Sequence, residues 1–231
     1  MPHADPPAWL AALAWVSLGV AFLCAALILA DIYLRGHRQK MGIMEVVWPV
    51  TALYFGPLAF WAYQRWGRPQ SPQWQGRHGM PPGKSFPATV AVAVSHCGAG
   101  CTLGDIIGGW IIFAGAFEIA GASLWPEYIA DCTLAFSLGI AFQYFSIAPM
   151  RGLGVREGIL AALKADTLSL TAFEMGLFGW MALVQLVWFP AGLHPDDPVY
   201  WFLMQIGMVL GFITAYPVNA WLLTAGIKEA M

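Results

Sequence analysis

The chain has 231 residues, 59% of them hydrophobic and 10% charged, with a formal net charge of −2. With a mean hydropathy of +0.64, this composition excludes an ordinary soluble domain, in which about 25% of residues are charged, and points to an integral membrane protein whose surroundings are the lipid bilayer. No clustered face of Lys and Arg exists to bind nucleic acid, so that class of partner is excluded as well.

Apolar stretches long enough to cross hydrocarbon, about 20 residues each, occur near Trp9–Tyr33, Glu45–Tyr63, Pro87–Phe117, Glu127–Ile147, Thr167–Phe189 and Pro198–Thr224. The predicted fold is all-α, a polytopic membrane helix bundle of about six transmembrane helices that forms one integral membrane domain over residues 1–231. No Lys or Arg precedes the first span and its apolar core exceeds signal length, so it is expected to stay in the mature chain. Arg65–Ser85, with Pro69, Pro72, Pro81 and Pro82, reads as a mobile cytoplasmic linker. Val155–Lys164 reads as a short amphipathic connector on the membrane surface.

Basic residues favour the cytoplasmic side. Six crossings with both termini inside put Arg65, Arg68, Arg77, Lys84, Arg151, Arg156, Lys164 and Lys228 in the cytoplasm, and Arg35, Arg38 and Lys40 outside. Glu118, Glu127, His194, Asp196 and Asp197 then make an acidic outer face. Trp9, Trp66, Trp125, Trp188 and Trp201 mark span ends as interfacial anchors.

The third span carries Ser95-His96-Cys97-Gly98-Ala99-Gly100-Cys101-Thr102-Leu103-Gly104-Asp105. Ionisable groups at membrane depth are rare, and each is a candidate functional group by default. The span is long for one crossing, and its glycines predict a break at Gly98–Gly104, where a freed backbone would line a cavity. On an unbroken helix Cys97, Cys101 and Asp105 share a face and His96 points roughly 100° away. A break would swing His96 toward the thiols and give an N, S, S ligand set suited to copper, with zinc second. Glu174 and Met175 fall at a similar depth, as do Met204 and Met208. The candidate metal ligands are therefore His96, Cys97, Cys101, Asp105, Glu174 and Met175.

Glu118, Glu127, Asp131 and Asp105 fall at increasing depth from the outer side, and Glu174 and Asp166 continue inward. That series reads as a cation or proton path, with Cys132 beside Asp131. Plainer readings stand beside these. Cys24, Cys132, Met175, Met204 and Met208 have a packing role available, the glycines can serve close helix contact, and headgroup water reaches Asp31, Glu45 and Asp166 at span ends.

Ser95–Asp105, together with Gln-Tyr-Phe-Ser-Ile-Ala-Pro-Met-Arg at Gln143–Arg151, resembles the bacterial integral membrane proteins of domain-of-unknown-function family 4396, from about Pro87 onward. Relatives joined to, or named after, copper oxidase-like proteins imply a copper connection and a copper protein as partner. The leading expectation is a bacterial inner-membrane protein that binds a soft metal, copper first, and moves or delivers it. The enzyme alternative makes Cys97 and Cys101 a redox dithiol, and a third reading is a scaffold without a metal. Haem is not expected, because a bis-histidine site needs two intramembrane histidines and only His96 lies in a span. No phosphate loop or Ser/His/Asp arrangement points to hydrolysis.

Overall fold

The computed structural model describes residues 6–119, 121, 123–190 and 192–229, with the side chains of 149 and 150 left aside. Its elements are α1 (Ala8–Tyr33), α2 (Met44–Phe55), α3 (Pro57–Ala62), α4 (Pro72–His78), α5 (Phe86–Gly115), α6 (Leu124–Arg151), α7 (Val155–Leu183) and α8 (Pro198–Thr224). Five of these, α1, α5, α6, α7 (extended by a wider helical turn to Trp188) and α8, are long and apolar enough to cross a membrane. The protein is an all-α membrane helix bundle. The amphipathic connector expected over Val155–Lys164 is the first part of α7.

The bundle is built around α5. Its apolar window is 78% buried inside the protein, against 28–39% for the windows of the other four long helices, and it packs on α2, α6, α7 and α8. Small residues make this central position available. A Cβ on Gly100 would stand 2.6 Å from the Gly139 Cα, and one on Gly104 would stand 2.5 Å from the Ala135 backbone nitrogen. Gly98 meets the Phe173 ring in the same way. The expected break at Gly98–Gly104 is therefore corrected: α5 is continuous through this stretch. The glycines let α6 and α7 approach the α5 backbone, in the small-residue packing mode of membrane helices.

The interruption falls instead in the second expected span. α2 has 12 residues and ends at Gly56, whose φ of 52° only glycine adopts easily, and Pro57 then opens α3. At about 1.5 Å per residue α2 is only about 18 Å long, too short to cross hydrocarbon. Gly56 meets Val20 near the middle of α1, and Phe55 packs edge-on against Phe212 of α8 at 4.9 Å between ring centroids. The chain then turns back. Tyr63 packs against Trp48 near the start of α2, with ring centroids 5.8 Å apart.

A buried charge cluster fixes the return. Asp31, at the end of α1, is 1% exposed and accepts a 2.8 Å hydrogen bond from the Tyr63 hydroxyl. Arg68 Nε lies 3.3 Å from the same carboxylate, and His37 Nδ1 also lies 3.3 Å away. Glu45 opens α2 by accepting from Arg38 Nε at 2.8 Å and from the Gln39 amide at 3.0 Å. Asp31 and Glu45 are thus paired and buried, where headgroup solvation was expected. Residues 65–85, expected as a linker, carry α4, and Ser71 is fully buried while capping it at the Trp74 amide.

Because α2 and α3 form a hairpin that returns to the end of α1, the described residues hold five helices long and apolar enough to cross, where six spans were expected. Arg35, Arg38 and Lys40 then lie at the same end of the bundle as Arg65, Arg68, Arg77 and Lys84, the start of α7, the end of α6 and the segment after α8. All 11 Lys and Arg residues belong to this half of the molecule. The opposite end carries the α5–α6 and α7–α8 connections with Glu118, Asp196 and Asp197.

Candidate functional site

Charged and polar side chains buried between α5, α6, α7 and α8 form a file that runs from the acidic end toward the basic end. It begins at Glu127 in the first turn of α6, which is 6% exposed and accepts a hydrogen bond from the Tyr200 hydroxyl of α8. One turn further along α6, Asp131 packs against Gly108 of α5. A side chain at position 108 would collide with that carboxylate. Asp105 follows on α5, fully buried, facing the charges of Glu174, Asp131 and Glu127. Glu174 of α7 is 4% exposed and within reach of the Cys101 thiol, without a well-formed hydrogen bond.

Three of these carboxyl groups lack the partners that burial demands. Both oxygens of Asp105, both of Glu174 and Oδ1 of Asp131 are buried with no hydrogen-bond partner among the described residues. Among the described residues, none of the three forms an ion pair with a Lys, Arg or His. Ionised carboxylates without countercharge in a low-dielectric interior cost several kcal/mol each, and such groups avoid that cost by holding a proton or a cation.

Cys101 and Cys97 stand one turn apart near the middle of α5, both fully buried and unbridged. Cys97 Sγ lies 2.8 Å from Ser169 Oγ of α7 and also reaches the Val94 carbonyl at 3.3 Å. Ser169 Oγ accepts from Asn219 Nδ2 of α8 at 2.6 Å. Asn219 Oδ1 accepts from Lys228 Nζ at 2.9 Å, and Lys228 is ion-paired with Asp166 at 2.6 Å. Asp166 is fully buried here, which corrects its expected place in headgroup water.

The six expected metal ligands do not converge. His96 turns toward α6, with Nε2 3.3 Å from Ser146 Oγ and the ring edge-on to Phe142. Cys97 turns toward Ser169 on α7. Met175 is 70% exposed on the outside of the bundle, away from the other five expected ligands. Among the described residues, no three His, Cys, Asp or Glu side chains come close enough together to hold a metal ion. The reason is the unbroken α5. On a regular helix His96 and Cys97 must point to different neighbours. Met204 and Met208 are buried in α8, and Met208 Sδ meets the Thr102 hydroxyl at 3.7 Å.

Asp105, Glu174, Cys101 and Cys97 are all buried among α5, α6, α7 and α8, whereas Glu118 of the expected acidic series is exposed. Tyr200, Ser169, Asn219 and Lys228 belong to the same file and were missed. A signal existed for Asn219, a polar amide inside the apolar stretch of α8, but Lys228 read only as a loop charge.

No curated protein and no solved structure matches the chain. The model of a family described as a domain of unknown function, DUF4396, matches residues 88–228. That stretch contains every residue of the polar file and leaves α1–α4 outside it. With more than half its length matched, the chain belongs to the DUF4396 family.

Proposed function

We propose that the protein moves cations across the membrane, with protons carried by the buried carboxyl groups Asp131, Asp105 and Glu174. The observation that carries this reading is the set of partnerless carboxyl oxygens on Asp105 and Glu174 at the centre of the bundle. A purely structural core has no use for them, since apolar residues of similar volume pack there at lower cost. Glu127 and Tyr200 form the entry from the acidic end. Cys101, Cys97, Ser169 and Asn219 continue toward the basic end.

The membrane is a bacterial inner membrane, as the family resemblance implies, with the basic end in the cytoplasm. All 11 basic residues then lie inside, and the start of α1 lies outside. This orientation replaces the arrangement with both termini inside that six crossings required.

Reconstitution into liposomes loaded with a pH-sensitive dye tests the reading. A potassium diffusion potential should drive proton entry through the wild type, and Asp105→Asn or Glu174→Gln should slow it by about tenfold or more, equivalent to a barrier raised by about 1.4 kcal/mol. Equal flux in all three proteins rejects the reading.

A second reading, copper binding and delivery, keeps one observation in its favour: two buried, unbridged thiols one turn apart on α5, with a carboxyl group beside one of them. It requires Cys97 to leave Ser169. Elemental analysis after copper and zinc exposure should then give metal in the wild type and none in the Cys97→Ser/Cys101→Ser variant; metal-free protein in both ends this reading.

A further inference from the structure

Beyond Thr224 the chain leaves α8, turns at Gly226 with φ of 67°, and folds back so that the Ile227 and Lys228 amides bond the Leu222 carbonyl at 3.0 and 3.1 Å. The turn sends the Lys228 side chain into the bundle. Its relative exposure is 2%, and among the described residues the ammonium donates to three oxygens: Asp166 Oδ1 at 2.6 Å, Asn219 Oδ1 at 2.9 Å and the Ala93 carbonyl at 3.5 Å. A fourth oxygen, Asp166 Oδ2, is buried there with no partner.

The oxygen donors come from three different helices, α5, α7 and α8, and the one carboxylate among them carries a single formal negative charge, which one monovalent cation balances. Lys228 itself comes from outside those helices, on a short segment held by two amide hydrogen bonds. A buried ion pair is a poor way to gain stability alone, because desolvation consumes most of its attraction. Its place is informative. Asn219 and Ser169 connect it directly to Cys97, so the ammonium sits where the polar file would otherwise open at the basic end.

We infer that Asp166, Asn219 and the Ala93 carbonyl form a binding site for a monovalent cation of ammonium type, that the Lys228 ammonium is its tethered occupant, and that departure of Lys228 opens the basic end of the file. The consequence for transport rests on the proton-path reading; binding of a free ammonium ion does not. A tether of this length gives the resident group an effective concentration in the millimolar range or above, so a free competitor must be supplied at comparable concentration.

The test uses the full chain with Cys24, Cys101 and Cys132 replaced, leaving Cys97 as the one thiol, and a cationic membrane-impermeant thiosulfonate added at the basic end. Lys228→Ala should raise the rate of Cys97 modification by about tenfold or more. Ethylammonium should reverse that gain and raise the thermal midpoint of the variant, whereas tetraethylammonium, which has no N–H donors, should do neither. Cys97 equally unreactive with and without Lys228, or no distinction between the two ammonium ions, overturns the inference. Should Lys228→Ala fail to fold, Asp166→Asn in the protein that keeps Lys228 answers the same question: removing the carboxylate charge that holds the ammonium should raise the rate of Cys97 modification, and an unchanged rate overturns the inference. Protection by ethylammonium together with undiminished proton flux in Glu174→Gln would uphold the cation site while rejecting the proton path.

Discussion

Tyr63 and Asp31 illustrate how single side chains hold this bundle together. The Tyr63 hydroxyl and the Arg68 guanidinium share one buried carboxylate oxygen, Asp31 Oδ2, and tie the returning hairpin to α1. Hydrogen bonds to charged groups contribute about 1.5–3 kcal/mol. Tyr63→Phe should therefore lower the unfolding free energy in detergent by an amount in that range, read as a lower thermal midpoint, with the ring packing on Trp48 retained. A midpoint equal to that of the wild type would remove this anchor from the description. At this scale the sequence revealed which residues were unusual and misled on what they meet. Asp31 and Asp166 sit at span ends, where water normally suffices, yet each is buried by a cation distant in sequence, Arg68 and Lys228. His96 was legible as an anomaly in lipid, but its partner Ser146 lies 50 residues away on another helix, and nothing local encodes that pairing.

Glycine has two different uses in the helices of this chain. Along α5, Gly100, Gly104 and Gly108 recur at the four-residue spacing that puts them on one face, and α6 lies against that face. At Gly56 the residue is followed by proline and takes a positive φ, and there the helix stops. The sequence contained both signals. The break was expected in α5 because that span is longest and richest in glycine, whereas the physical cue for a break was the Gly-Pro pair combined with a helix too short to cross. Gly104→Val should push α6 from α5 and cost about 1–3 kcal/mol as an overpacked contact, measured as a fall in the thermal midpoint; a neutral effect would mean the contact is looser than the 2.5 Å clearance implies. The hairpin is checked by labelling Gly42→Cys and Met80→Cys, both exposed positions, with an impermeant maleimide. A returning hairpin puts both on the same side of the membrane. Opposite sides would restore a full crossing between them.

Taken whole, the molecule separates its charges. Basic residues gather in one half, acidic loops lie at the other end, and a file of buried polar groups runs between them through the helices matched by the family model. The bundle architecture and the membrane were legible from hydropathy, because five long apolar helices leave little room for another solution. The file was legible in part. Depth along each span placed Glu127, Asp131, Asp105 and Glu174 in series, and that ordering depends only on helical rise. Which of the expected ligands share a neighbour was not legible, because depth carries no information about direction around a helix, and His96, Cys97 and Met175 face three different surroundings. Proton flux in dye-loaded liposomes, comparing the wild type with Glu174→Gln and with Glu118→Gln at an exposed position, tests the central claim most directly. Transport through the buried carboxyl groups predicts wild-type flux in Glu118→Gln and a loss of about tenfold or more in Glu174→Gln, whereas equal flux in both variants would contradict it.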